Sequence, residues 1–164
     1  NAVSADHLRA VSAAGGAALA KSGTIAVMLP GTSFFLGGAK WAPARRLVEA
    51  GVPLALGTDC NPGSCTTPNL QIVMTIACAN LKLTPVEVLC AATINSAWAV
   101  GRGASVGSLE VGKKADFVVW QAPNPRYLPY FFGTNLAGGG VYKDGMRLWG
   151  QAQVGDEPMK GGSL

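Results

Sequence analysis

A short apolar run that ends in an acidic residue and a tight turn is the feature that most constrains this chain. Residues 53–58 read Pro-Leu-Ala-Leu-Gly-Thr, and this run predicts a buried strand of a parallel sheet. Asp59 follows at the carboxyl end of that strand, where ligands and catalytic groups collect in α/β folds. The chain must then turn over the top of the sheet, because Pro62 has no amide hydrogen to donate to a ladder.

The turn after Asp59 predicts a polar cluster. It contains the side-chain amide of Asn61, the backbone of Gly63 and the hydroxyl of Ser64. Gly63 permits backbone angles and a close ligand approach that other residues resist. We therefore expect these three residues to lie close to the Asp59 carboxylate.

The order of apolar periods predicts alternating strands and helices. The predicted elements are helices over 8–22, 43–50, 69–81 and 84–100, strands over 24–29 and 53–58, and a loop over 30–35. Such alternation with short connections favours parallel strands joined by right-handed crossovers.

The pattern changes near Gly103, and this change predicts a domain boundary. Strand-like pieces bounded by glycine follow over 105–120, and Asp144-Gly145 predicts a hairpin within 141–149. The last stretch is polar and rich in glycine. The sequence thus predicts a first part over 1–102, a second over 103–150 and a flexible tail over 151–164.

His7 is the single histidine, and it follows a short apolar start that resembles the end of another strand. If the chain is a series of strand-and-helix units, then His7, the loop at Pro30 and Asp59 fall at one rim of the sheet. An imidazole moves protons near neutral pH, and a carboxylate binds a metal or orients a water molecule. Two structural interpretations stay open, in which Asp59 caps its turn and His7 satisfies a helix start.

Composition limits the classes of function. Of the 164 residues 49% are hydrophobic and 13% are charged, with a mean hydropathy of +0.28, which indicates extensive burial or a missing partner. The net charge of +4 is spread out, without a basic stripe interleaved with aromatic residues, so we expect no nucleic-acid partner. Apolar stretches are too short for a membrane span, and the cysteines are expected to be reduced.

The start at Asn1 suggests a partial chain. The sequence has no histidine pair spaced His-x-His, so this chain is not expected to complete a metal site alone.

Four motifs carry a resemblance to a known family. They are residues 4–8 (Ser-Ala-Asp-His-Leu), 29–36 (Leu-Pro-Gly-Thr-Ser-Phe-Phe-Leu), 55–64 (Ala-Leu-Gly-Thr-Asp-Cys-Asn-Pro-Gly-Ser) and 107–117 (Gly-Ser-Leu-Glu-Val-Gly-Lys-Lys-Ala-Asp-Phe). Together they resemble the carboxyl-terminal half of the imidazolonepropionases, within the metal-dependent amidohydrolase superfamily. The last motif is shared widely across that superfamily, whereas the second and third are much more specific.

The resemblance implies an α/β fold: the last three or so βα units of a (β/α)8 TIM barrel, followed by strands of a small β-sandwich. It implies a cytoplasmic step of histidine degradation, hydrolysis of 4-imidazolone-5-propanoate to N-formimidoyl-L-glutamate, in a homodimeric enzyme. Asp59 is then a ligand of Zn or Fe, and His7 a proton-transfer or polarising group. Asn61, Gly63 and Ser64 contact the substrate. The family's other metal ligands precede this chain, so the isolated chain is expected to be inactive.

Two alternatives are kept. One is a related amidohydrolase or deaminase that acts on another cyclic amide or amidine, although the Asn-Pro-Gly-Ser turn favours the imidazolone enzyme. The other is a non-catalytic α/β binding module, but the glycine runs at 37–38 and 138–140 lack the strand-to-helix setting of a phosphate loop. The aromatic run over 127–132 is interpreted as core or as a dimer contact.

Overall fold

The computed structural model describes residues 2–150 as two three-stranded sheets with helices packed around the first. The first sheet and its helices contain β1 (Ser4–Asp6), α1 (Ala13–Ser22), β2 (Ile25–Met28), α2 (Pro30–Phe35), α3 (Ala44–Glu49), β3 (Leu54–Leu56), α4 (Leu70–Leu81), α5 (Pro85–Ala92) and α6 (Ile94–Ala99). The remaining elements are β4 (Phe117–Val119), α7 (Tyr127–Tyr130), a 3-10 turn (Ala137–Gly139), β5 (Gly140–Lys143) and β6 (Met146–Trp149). The predicted tail over 151–164 lies outside the described residues.

The first sheet is parallel, as the alternation of strands and helices predicts. Its strands are ordered β1-β2-β3, with Ser4 opposite Ile25 and Ala26 opposite Leu54. All three strands therefore end at the same edge of the sheet. The segments that follow them begin at His7, Leu29 and Gly57, so the polar residues of these segments meet at that edge.

Local capping signals set several helix ends. Ser12 accepts a hydrogen bond from the amide of Gly15 at the start of α1, and Gly23 ends that helix in the left-handed conformation. Asn69 caps α4, and Thr84 forms a capping box with Glu87 at the start of α5. These caps confirm the helix predicted over 69–81 and the predicted helix start at Thr84. The helix predicted over 8–22 is present only from Ala13, because Ser12 caps it there and Leu8 has a positive φ angle.

Two predictions about helices are wrong. Residues 30–35 form α2 rather than a loop, because Pro30 has the fixed φ angle suited to a first helical position and its neighbours Gly31, Thr32 and Ser33 are buried. The helix predicted over 84–100 breaks at Thr93, whose φ of −120° and ψ of −95° are not helical. The break divides the predicted helix into α5 and α6.

The core lies between the first sheet and helices α3, α4 and α5. Met28 at the end of β2 is fully buried, as are Val73 of α4 and Val88 of α5. Leu47 of α3 and Leu128 of α7 extend the same apolar cluster. The middle strand is thereby covered, as expected for a parallel sheet with buried strands.

The second sheet is antiparallel and contains the predicted hairpin. Strands β5 and β6 are joined at Asp144 and Gly145, which both have positive φ angles, and β4 pairs with β5. The rings of Phe117 and Tyr142 stack across this sheet with centroids 4.4 Å apart. Of the strand-like pieces predicted over 105–120, only Phe117–Val119 is a strand. Among the described helices none is long and apolar enough to cross a membrane.

Glu87 joins two helices and makes stability depend on pH. Its carboxylate accepts hydrogen bonds from Nη2 of Arg45 at 2.6 Å and from the backbone amide of Thr84 at 2.7 Å. The Arg45 bond favours the charged form and holds the pKa of Glu87 below its ordinary value. A lowered pKa in the folded state stabilises the fold above the unfolded value of about 4.3, and this contribution is lost as the pH falls through the folded value.

We expect Glu87→Gln to lower the free energy of unfolding by about 1 kcal/mol at pH 7, because it removes the ion pair but keeps an acceptor for the cap. At pH 3 the difference from the unmutated chain should shrink, since stability gained from a lowered pKa starts to be lost as the pH falls below the unfolded value. Urea unfolding at the two pH values measures both differences. An equal loss at pH 7 and pH 3 would show that the charge of Glu87 contributes nothing.

Candidate functional site

His7 and Asp59 lie together at the carboxyl edge of the first sheet. Nε2 of His7 is 3.8 Å from Oδ2 of Asp59, which is longer than a hydrogen bond but within ion-pair range. The His7 side chain is 46% exposed and that of Asp59 is 28% exposed. The structure therefore brings the two predicted residues to one accessible position, although they are carried by the two outer strands of the sheet.

Both residues have backbone angles that are uncommon for side-chain-bearing residues. The φ angle is 63° at His7 and 53° at Asp59, and Leu8 beside His7 also has a positive φ of 52°. Such left-handed conformations cost energy outside glycine and concentrate at functional sites. Two of the residues with these angles, His7 and Asp59, are those whose side chains approach to 3.8 Å at this edge.

Thr32 is a third member of the site, and the sequence did not single it out. Its hydroxyl donates a hydrogen bond of 2.6 Å to Oδ2 of Asp59, and the residue is only 6% exposed. It lies in the first turn of α2, directly after the middle strand β2. The segment that begins at Pro30 was expected at the same rim, but none of its side chains was assigned a role in the site.

The turn after Asp59 is organised around Asn61 rather than around the Asp59 carboxylate. Nδ2 of Asn61 donates to the backbone carbonyl of Asp59 at 2.6 Å. Oδ1 of Asn61 accepts from the amides of Gly63 and Ser64, at 2.9 and 2.8 Å, and from the Ser64 hydroxyl at 3.1 Å. The expected polar cluster is present, but it touches Asp59 through the main chain, and its bonds fix the shape of the turn.

Strand β3, which leads into Asp59, is held on its outer edge by side chains of α6. Nδ2 of Asn95 donates to the carbonyl of Leu54 at 2.7 Å, and the hydroxyl of Ser96 donates to the carbonyl of Leu56 at 2.9 Å. The amide of Leu56 in turn donates to Oγ of Ser96 at 3.3 Å. These bonds satisfy backbone groups that a neighbouring strand would otherwise pair. Asn95 and Ser96 both belong to α6, the helix that begins after the break at Thr93.

The site offers one oxygen donor suited to a divalent metal. Oδ2 of Asp59 accepts from Thr32, whereas Oδ1 takes no hydrogen bond within residues 2–150. Carboxylate oxygen is an ordinary ligand of zinc and of iron. Within the described residues no three His, Cys, Asp or Glu side chains are grouped so as to hold a metal ion. Asp59 thus fits the role of one ligand, and a complete site requires ligands from elsewhere.

Comparison with known proteins places the chain in a family. The amidohydrolase family matches residues 9–147. An acid and a histidine that meet at the carboxyl edge of a parallel sheet agree with that match. The chain belongs to the amidohydrolase family.

The most informative relatives in sequence are imidazolonepropionases. The chain is 53% identical over 133 residues to the one from Alkaliphilus oremlandii (strain OhILAs), a match that covers 81% of this chain and 32% of the relative. It is 54% identical over 136 residues to that of Geobacillus kaustophilus (strain HTA426), covering 83% and 32%. The chain therefore spans about a third of the length of the curated relatives it matches.

Solved structures share the fold. Escherichia coli guanine deaminase superposes with a TM-score of 0.75 at 20% identity, covering 91% of this chain and 39% of the deaminase. An adenosine deaminase from Xanthomonas campestris with bound zinc superposes with a TM-score of 0.74 at 25% identity, covering 94% and 38%. The first of these likenesses concerns the fold alone. The architecture is that of amidohydrolase enzymes.

Proposed function

We propose that the chain is the carboxyl-terminal third of an imidazolonepropionase, which hydrolyses 4-imidazolone-5-propanoate to N-formimidoyl-L-glutamate in histidine degradation. The approach of His7 to within 3.8 Å of Asp59 is the observation that carries the proposal, because it joins a proton carrier to a carboxylate at one strand edge. Identity above 50% to imidazolonepropionases supports the choice of substrate.

In this proposal Asp59 is one ligand of a Zn or Fe ion. Such an ion supplies an activated water at neutral pH and polarises a carbonyl. His7 holds or moves a proton at Nε2 beside the Asp59 carboxylate. Asn61 keeps its turn in one shape, so that the backbone of Gly63 and the hydroxyl of Ser64 are presented to the substrate.

The proposal also assigns the architecture of the complete enzyme. The parallel sheet supplies the last three βα units of a (β/α)8 barrel, and the second sheet contributes strands to a small β-sandwich. The enzyme acts in the cytoplasm on a small molecule, without a nucleic-acid partner, and forms a homodimer. The aromatic run supports a contact between copies rather than a core role, because Tyr130 is 74% and Phe132 70% exposed.

A hybrid enzyme tests the activity. In it, this chain replaces the matching third of the Geobacillus kaustophilus imidazolonepropionase, which it resembles at 54% identity. We expect the metal-loaded hybrid to form N-formimidoyl-L-glutamate, detected by mass spectrometry. The unmodified Geobacillus enzyme is the positive control. The isolated chain should give no product, because within residues 2–150 too few ligands are grouped for a metal site.

Two results would overturn the proposal. One is a folded, metal-loaded hybrid that leaves imidazolonepropanoate intact but deaminates guanine or adenosine, which would favour the deaminase alternative. The other is a hybrid that binds no metal, which would favour a binding module. Analytical ultracentrifugation measures the oligomeric state of the active hybrid. A monomer at micromolar concentration would contradict the proposed homodimer.

A further inference from the structure

Thr32 is buried beside Asp59 and bonds directly to its carboxylate. Its hydroxyl donates to Oδ2 of Asp59 at 2.6 Å across a sequence separation of 27 residues. A hydroxyl that donates to a carboxylate forms a short, charge-assisted bond, stronger than a bond between neutral groups. The bond leaves Oδ1 of Asp59 as the oxygen without a hydrogen bond within residues 2–150.

The approach of α2 to Asp59 depends on close packing beside Thr32. A Cβ atom added to Gly31 would lie 2.8 Å from Sγ of Cys65 and 3.5 Å from the carbonyl of Thr58, so a larger residue would push the helix away. A Cβ atom at Gly57 would meet Leu29 at 3.0 Å. The first turn of α2 is thus packed closely against the segment that follows β3, and this packing places the Thr32 hydroxyl within reach of Asp59.

We infer that Thr32 is a positioning residue. Its hydroxyl fixes the rotamer of Asp59 and reserves one carboxylate oxygen, so that the other oxygen faces the divalent metal in one orientation. The inference rests on the proposed function. Hydrogen-bond partners of metal ligands orient those ligands, and their loss typically lowers metal affinity or activity by about 10- to 100-fold.

The test measures zinc affinity of the hybrid enzyme by competition with a chelating indicator, using Zn²⁺ as the probe. Thr32→Val keeps the shape but removes the hydroxyl, Thr32→Ala removes it without added bulk, and Thr32→Ser retains it. We expect the Kd for Zn²⁺ to rise about 10- to 100-fold in the Val and Ala variants and to stay within about threefold in Thr32→Ser. The kcat should fall in parallel while KM changes little, because Thr32 does not touch the substrate.

Ser33→Ala is the matched control, since Ser33 is the next residue of the same helix, is also buried, and makes no hydrogen bond to Asp59 within the described residues. Equal zinc affinity in the Val, Ala and Ser variants would overturn the inference, as would an equal loss in Ser33→Ala. If Thr32→Val and Thr32→Ala both fail to fold while Thr32→Ser folds, the hydroxyl is required for folding and the positioning role is refuted. A hybrid whose zinc affinity depends on the Thr32 hydroxyl but that does not hydrolyse imidazolonepropanoate would refute the proposed function alone.

Discussion

Asp59→Asn should abolish most of the activity of the hybrid enzyme, with kcat/KM falling by about 10²- to 10⁴-fold. The substitution keeps the size of the side chain and an oxygen that can accept from Thr32, so the hydrogen bond of 2.6 Å need not be lost. It removes the negative charge that we propose binds a divalent metal and that faces His7 at 3.8 Å. The loss therefore reports the chemistry of the carboxylate and not the packing around it.

Glu49→Gln is a suitable control for the Asp59 substitution. Glu49 is an exposed acid at the end of α3, outside the strand edge, so its loss changes the net charge by the same amount. Zinc content and kcat/KM should both be near those of the unmutated hybrid. Activity of Asp59→Asn within about tenfold of the unmutated hybrid would contradict the role assigned to Asp59, because general acid–base or metal roles contribute at least about 10²-fold.

The parts of the fold that depend on neighbouring residues were predictable from the sequence. The Thr84 cap acts within three residues of itself, and that helix start was predicted. The Ser12 cap is equally local, but the predicted helix began at residue 8 whereas α1 begins at Ala13. The parallel pairing followed from alternating strands and helices with short connections. The same logic placed His7 and Asp59 at one edge, because parallel strands end together.

The parts that depend on distant contacts were not predictable. Thr32 meets Asp59 from 27 residues away, and Ser96 meets Leu56 from 40 residues away, so no short pattern indicates either bond. The segment Pro30–Phe35 has the composition of a turn, yet burial of its first residues against the sheet makes it a helix. Tertiary packing overrides local propensity at such positions.

The geometry of Asn61 shows a second limit of sequence reasoning. The residue types of the turn predicted which groups would gather, but not which atom each would bond. An amide side chain two residues after an aspartate can donate either to the carboxylate or to the backbone carbonyl of that aspartate. Here Nδ2 of Asn61 donates to the backbone carbonyl of Asp59. The carboxylate is consequently left to Thr32 and His7.

Met28→Ala should cause the largest loss of stability among simple core truncations, about 2–5 kcal/mol in the free energy of unfolding. Met28 is fully buried at the end of the middle strand, within the apolar cluster that also contains Val73 and Leu47. Its removal leaves a cavity that the paired strands on both sides cannot close. Since domains of this size are stable by only about 5–15 kcal/mol, the variant should unfold at a much lower urea concentration.

Met146→Ala removes the same atoms from a position that is 66% exposed on β6. Its free energy of unfolding should differ from that of the unmutated chain by less than about 1 kcal/mol, because surface substitutions create no cavity. Urea titrations followed by far-ultraviolet circular dichroism measure both variants against the same baseline. Equal losses for Met28→Ala and Met146→Ala would mean that β2 is not the packed centre of the sheet. The positions of His7, Thr32 and Asp59 at the edge of the sheet depend on β2, so that result would also contradict the arrangement of the site.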